Sequence, residues 1–388
     1  MIIPFPCRNL FLLSVCCCFL VLLTGCWDRT EINDLALVTA AGFDLKGDND
    51  VELSIQIFIP KGGGQGQVLG GGGQGGGGQT MVKSMTGKTI SDAMSRLQEQ
   101  LSRQIFWGHC DVFIIGMRQA RDGIPDVIDF IPRAPEPRER SYVFVSSGAA
   151  KEDLKVINPI ERSSAEALRE LAKSQVQMSM TVKELLELLA NKDQSVPLPI
   201  IEILKSEEGD KKMQMNSLIK GTAIFKNGRL VGRVNDRVTR GVLWIRNKIT
   251  RGVLTIKPKE SKGLASIRLI RSRTKLQPLI KDGKWSLTVD VAMEGEVIQT
   301  TTKLKVGKVP VIAELEKQLA SDIKWYITTA LEQIKEGMNA DVFGFDEAFH
   351  RKYPSEWKKV KGRWDEKLPE VEINTNIKTS IVRPGMTS

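Results

Sequence analysis

The residue most plainly equipped for chemistry is Cys26, in Leu23-Thr24-Gly25-Cys26, where two small residues precede a thiol. An extended backbone of that kind can enter a lipoprotein peptidase, and the thiol can then carry a diacylglyceryl group. Residues 1–9 hold one positive charge, on Arg8, and residues 10–23 form an almost unbroken apolar run. That run falls short of the roughly 20 residues a permanent membrane span needs. Residues 1–25 are therefore expected to be a removed signal peptide, leaving a mature chain held at a membrane surface by lipid on Cys26. Two or more acyl chains make such an anchor stable, at about 0.8 kcal/mol per buried methylene.

Of the six cysteines, Cys7, Cys16, Cys17 and Cys18 would leave with the signal and Cys26 would carry lipid. Cys110 alone remains, so the mature domains must be held by core packing and not by a disulfide. His109 precedes it, but adjacent residues on a strand point to opposite faces, which argues against a nucleophile and base pair. His350, near Asp346 and Glu347, reads as part of a solvated helix face rather than a metal site. There is no Cys-x-x-Cys, His-Glu-x-x-His or Gly-x-Ser-x-Gly pattern. The tryptophans at 107, 285, 325, 357 and 364 read as core anchors. No enzymatic activity, no metal and no cofactor beyond the covalent lipid are expected.

Charge is unevenly spread. The chain carries +10 overall, yet residues 220–284 hold 18 Lys and Arg against 3 acids. This basic module could face anionic headgroups, where each cation contributes about 1 kcal/mol, or an acidic partner; equally, its charges could form a solvated face. An exported, anchored protein seldom meets nucleic acid, so none is expected as partner. Arg229, Arg233, Arg237 and Arg240 are the candidate contacts with a membrane or a partner subunit.

The elements that would position these residues follow from periodicity. Residues 35–43 and 51–59 read as a hairpin. The tract 62–78 holds 12 of the 34 glycines and is expected to be a disordered loop; without a Lys-Ser/Thr step into a helix it is no phosphate loop. A helix from 89, a strand at 112–115, a helix at 124–130 and a strand at 142–145 follow. Three prolines at 132, 135 and 137 exclude a regular helix there. Capping boxes at Ser163/Glu166 and Thr181/Glu184 open two helices, and Pro197 and Pro199 close the region. Beyond it, 217–226 and 229–231 flank Asn227-Gly228, the dipeptide best suited to a type I′ turn, and 240–245 reads as a further strand. Strands at 265–275, 285–293 and 296–304 precede a long amphipathic helix ended by Gly337, and an alternating tail forms a last strand.

The expected class is α+β, with three domains of mixed sheets packed with helices. An N-terminal α/β domain would span 26–204, a small basic β-rich middle domain 205–257, and a C-terminal domain 258–388, with an antiparallel sheet and one long helix at 311–337.

Several of these residues carry a family resemblance. Cys26-Trp27-Asp28-Arg29 with Glu31-Ile32, Gly221-Thr-Ala-Ile-Phe225 with Leu230-Val-Gly232, and Arg240-Gly-Val-Leu-Trp-Ile245 resemble the Ger(x)C lipoproteins, C subunits of bacterial spore nutrient germinant receptors. Asp341-Val-Phe-Gly-Phe345, Tyr353-Pro-Ser-Glu-Trp357 and Trp364 resemble the stretch between that family's last helix and last strand. The glycine tract departs from the family's pattern but leaves these motifs untouched. The resemblance implies a three-domain lipoprotein on the outer surface of the spore inner membrane, responding to nutrients with an A subunit and a permease-like B subunit. The alternative is a solute-binding lipoprotein of a transporter, which should show two similar α/β lobes. A cell-surface hydrolase would need a convergent acid, base or metal set.

Overall fold

The computed structural model describes residues 31–59, 80–190 except 135, 137 and 159, 195–205, 215–259, 262–302, 304 and 306–383. The expected signal peptide, with Leu23, Thr24, Gly25 and Cys26, and the glycine loop 62–78 lie outside these residues.

β1 (Leu35–Lys46) and β2 (Asp50–Phe58) form the expected hairpin, and β3 (Thr80–Gly87) extends it. α1 (Ile90–Glu99) is capped by the Thr89 hydroxyl and buries Ile90, Ala93 and Leu97, the face its periodicity predicts. β4 (Gln104–Phe106) and β5 (Val112–Ile115) both run parallel to β1. After α2 (Met117–Asp122) and α3 (Pro125–Arg133), β6 (Tyr142–Ser146) joins β5 in parallel. α4 (Ala150–Leu154), α5 (Ser164–Lys173) and α6 (Val182–Leu189) lead to β7 (Ser195–Lys205), β8 (Met215–Lys226) and β9 (Arg229–Val234). The sheet order is β3-β2-β1-β5-β6-β7-β8-β9, with β4 on β1.

Helices cover both faces of this sheet. α1, α2, α3 and α6 bury one apolar cluster, and α4 and α5 the other. Burial on two sides explains why β2 hides polar residues between its aliphatic ones. Gln56 survives there because its amide donates to the Leu154 carbonyl at 2.8 Å and the Ser164 hydroxyl at 2.9 Å.

α7 (Asp236–Ile245) leads into the second sheet, of order β10-β11-β12-β13, built from β10 (Val253–Ile256), β11 (Ala265–Lys281), β12 (Lys284–Thr300) and β13 (Glu372–Arg383). Between β12 and β13 run α8 (Val309–Ala330), α9 (Phe345–Lys352), α10 (Pro354–Val360) and α11 (Trp364–Lys367). Leu315, Leu319, Ile323 and Ile327 of α8 pack on this sheet, and the same cluster takes in Ile224 and Val234 of the large sheet and Val238 and Val242 of α7. The two sheets therefore meet across one continuous core.

Several expectations are corrected. Residues 240–245 are helical: the Asn235 side chain caps α7 by accepting the N–H groups of Arg237 and Val238, and the helix is apolar on two sides because it lies between the large sheet and α8. Residues 205–257 close no sheet of their own, since β8 and β9 pair onto β7 and β10 onto β11; an isolated hairpin has too little to bury. Pro197 and Pro199 lie inside β7, where β6 pairs only with Ile200 and Ile201, so their missing N–H groups deprive it of nothing. α3 runs through Pro132 to Arg133. The strands expected at 285–293 and 296–304 are one, β12, with a bulge at Gly295/Glu296. The small sheet is mixed, because β13 runs parallel to β12 after the helical crossover. α8 continues as a π-helical turn (Leu331–Glu336), and Gly337 stays right-handed at φ −76°. The left-handed residue that breaks the helix is Asn339, at φ 47°. Thr181 and Glu184 form the full capping box, whereas Ser163 caps α5 without the return bond.

Candidate functional site

Asn227 (φ 51°) and Gly228 (φ 76°) both take the left-handed conformation a type I′ turn demands. The turn places Arg229 and Arg233 on β9, exposed along the edge of the large sheet. The chain then doubles back into α7 through local bonds. Gly221, at φ +81°, donates its N–H to the Asp236 carboxylate at 2.7 Å, and the buried hydroxyls of Thr222 and Thr239 meet at 2.8 Å. These contacts fix the first turns of α7, and with them Arg237 and Arg240.

Both arginines reach over α8. The Arg237 guanidinium lies 5.9 Å from the Trp325 ring centroid and that of Arg240 lies 5.8 Å from Tyr326, cation–π distances. The helices approach closely because residue 241 is glycine: a Cβ there would sit 2.1 Å from the Tyr326 carbonyl oxygen and 2.6 Å from the Ala330 Cβ. Trp325 is 49% exposed and so is no core anchor, whereas Trp107, Trp285, Trp357 and Trp364 are buried. Periodicity could have flagged it, since Trp325 falls between Ile323 and Ile327, off the buried stripe.

The surplus of positive charge in residues 220–284 is partly answered within the fold. Lys220 pairs with Glu202, Lys226 with Asp365, Lys248 with Glu184, Arg268 with Glu296 and Arg271 with Glu294. Arg229, Arg233, Arg237 and Arg240 have no ion pair among the described residues. The solvated-face reading thus fits the small sheet, while β9 and α7 carry arginines without an ion pair, Arg237 among them lying over the half-exposed Trp325.

The motif Asp341-Val-Phe-Gly-Phe345 organises the other end of the core. Asp341 is buried and its carboxylate accepts the N–H groups of Phe343, Gly344, Phe345 and Asp346, which head α9. Burial pushes its pKa up against the pull of these donors. Beneath it Trp285, Phe349, Trp357 and Trp364 pack ring to ring, with centroids 4.7 to 6.3 Å apart.

Other chemistry-bearing residues are structural. His109 is exposed and Cys110 buried, in a turn where the Cys110 N–H meets the Trp107 carbonyl at 2.8 Å, not on a strand. Burial drives the thiol pKa far above its ordinary value. At the C-terminal ends of the parallel strands, where open α/β sheets bind ligands, Asp44 fills the space. It accepts the N–H groups of Ala150 and Lys151 at 2.8 and 2.9 Å, and its Oδ1 would lie 1.9 Å from any Cβ on Gly116. Among the described residues no three His, Cys, Asp or Glu side chains converge on a metal position, and no helix is long and apolar enough to cross a membrane.

Comparison with known proteins places this architecture. Residues 28–203 match the spore germination protein N-terminal domain, and residues 220–385 match the spore germination B3/GerAC-like C-terminal domain. The putative spore germination protein YfkR of Bacillus subtilis (strain 168) is 30% identical over 355 residues, 91% of each chain. Spore germination protein KC of the same organism is 28% identical, covering 97% of this chain and 95% of that one. The crystal structure of the GerBC protein superposes with a TM-score of 0.58 at 19% identity, covering 92% of this chain and 100% of that one. Matched in both halves and along nearly its whole length, the chain belongs to the Ger(x)C family of spore germination proteins, the C subunits of germinant receptors.

Proposed function

We propose that the chain is the lipid-anchored C subunit of a nutrient germinant receptor, carrying a diacylglyceryl group on Cys26 and lying on the outer face of the spore inner membrane. It acts there by protein–protein contact with an A subunit and a permease-like B subunit, without catalysis of its own. The observation that carries this reading is that the family's motifs hold definite structural positions: Gly221 and Gly241 at the contacts through which α7 joins the large sheet to α8, and Asp341 at the head of α9. A solute-binding lipoprotein of a transporter is disfavoured, because the two sheets differ in size, topology and helix cover and form no pair of similar lobes.

Arg229 and Arg233 at the sheet edge, with Arg237 and Arg240 on α7, are the proposed contacts. Arginine beside an exposed tryptophan is the composition of an interface hot spot, which favours a partner subunit over bare lipid. Counted through the strand registers, Arg229 lies toward the end of the sheet at which β1 begins. It stands five strands from β1, roughly 24 Å at ~4.8 Å per strand.

The test is capture of the tagged chain from spores. Wild type should bring down the two membrane subunits and incorporate labelled fatty acid, and Cys26→Ala should lose the label. The pair Arg233→Glu and Arg237→Glu should lose the subunits but keep label and melting temperature. Undiminished capture of both subunits by the charge-reversed chain would remove the contact surface from the proposal; failure of wild type to capture either would remove the receptor reading.

A further inference from the structure

Where α6, the end of α7, β11 and α9 meet, the structure holds a cavity of about 590 Å³ whose lining extends beyond the germination motifs. That size suits a small organic molecule. At its wall stands Arg246, partly buried at the end of α7. One guanidinium N–H donates to the Val342 carbonyl at 2.7 Å. Among the described residues no carboxylate forms an ion pair with Arg246, and the remaining guanidinium N–H groups have no acceptor. The fork's remaining donors line this cleft, and their planar geometry matches a carboxylate two bonds at a time. Burial pulls its pKa down, and the charges of Glu184, Asp341, Glu347 and Asp346 oppose that shift.

The rest of the lining fixes the ligand's character. Lys275 adds a second cation, while the Arg351 charge is met by Glu347 at 3.6 Å. Leu188, Ile245, Leu276 and Phe343 supply apolar walls. We infer that this cavity binds a small carboxylate with an apolar body, its carboxylate on Arg246 and its apolar group against Leu188, Ile245, Leu276 and Phe343. Because Leu188 belongs to the N-terminal half and the other walls to α7, the small sheet and its helices, an occupant would bear on both halves at once. The inference goes beyond the receptor assignment and would stand without it.

Phenylacetate is a suitable probe and phenylacetamide its neutral control, read by saturation-transfer NMR on the full chain in nanodiscs. Phenylacetate should receive saturation at roughly millimolar concentration and phenylacetamide should not. The signal should fall by roughly tenfold or more in Arg246→Gln, the loss expected for a charge-assisted pair. It should fall equally in Leu188→Trp, which fills the cavity without touching the guanidinium. Arg246→Lys, which keeps the charge but not the fork, should also lose the signal and serves if the glutamine variant fails to fold. No transfer to phenylacetate in wild type, equal transfer to acid and amide, or a signal that survives either folded variant would overturn the assignment.

Discussion

The carboxylate of Asp341 accepts the indole N–H of Trp364 at 3.0 Å, linking the head of α9 to the aromatic cluster 23 residues further on. The same Oδ2 takes the Asp346 N–H at 2.8 Å, while Oδ1 takes three more N–H groups between 3.1 and 3.2 Å. Removing the carboxylate strands four backbone donors; removing the indole N–H strands none of them. Asp341→Ala should therefore cost more than Trp364→Phe, about 3 kcal/mol or above against ~2 kcal/mol. Urea unfolding at unchanged slope measures both. A milder Asp341→Ala would contradict the capping role.

Gly241→Ala sets two effects against each other. Alanine is favoured over glycine inside a helix by about 1 kcal/mol. The new methyl would meet the Tyr326 carbonyl at 2.1 Å, and backbone cannot rotate aside as a side-chain tip can. Overpacking of this kind costs about 1–3 kcal/mol, so the variant should melt lower than wild type. A higher melting temperature would show that the two helices can part at little cost.

Asp153 should make stability depend on pH. It is buried on α4, and burial pushes its pKa from 3.8 up to about 7. The neighbouring Asp44 charge adds to the shift, and the Ser146 hydroxyl opposes it. The folded state thus holds the proton more tightly than the unfolded chain. Stability is highest with the group protonated, falls as pH rises from about 4 to about 7, and is level above that, with a total change of up to ~4 kcal/mol. Asp153→Asn should raise the melting temperature at pH 8, leave it nearly unchanged at pH 4, and flatten the curve between. Parallel curves for the two proteins would rule this group out as the cause.

Cys110 should be silent toward thiol reagents in the native state, because it is fully buried, donates to the Val112 carbonyl at 3.4 Å and has its thiolate strongly disfavoured. Iodoacetamide labelling should appear only with unfolding, and Cys110→Ser should leave lipid labelling and subunit capture unchanged. Rapid alkylation of the folded chain would mean that the turn after Trp107 opens.

Local chemistry carried much of the fold into the sequence. The Thr181/Glu184 box, the Asn227-Gly228 turn and the stripe from Leu315 to Ile327 were readable because each is set by neighbours in the chain. What escaped was decided by distant partners. Residues 240–245 read as a strand because burial on two sides removes the polar face that betrays a helix. Pro197 and Pro199 read as terminators because only the short reach of β6 makes them harmless in β7. Composition marks out the arginines, but Trp325, over which Arg237 lies, belongs to a helix 85 or more residues away, and the place of Arg246 at the cleft wall is visible only in three dimensions.

The parallel placement of β13 against β12 also orders events in time. Asn376 donates to Asp290 at 2.8 Å across 86 residues, so the small sheet cannot close until the chain has been made through β13. Non-local closure of this kind is slow. During that interval β12 is a long strand with one unpaired edge, the sort of surface that joins other chains. A nascent chain that stalled between α8 and β13 would be a hazard to its neighbours, and its safe folding depends on how soon β13 follows as much as on the stability of the finished fold.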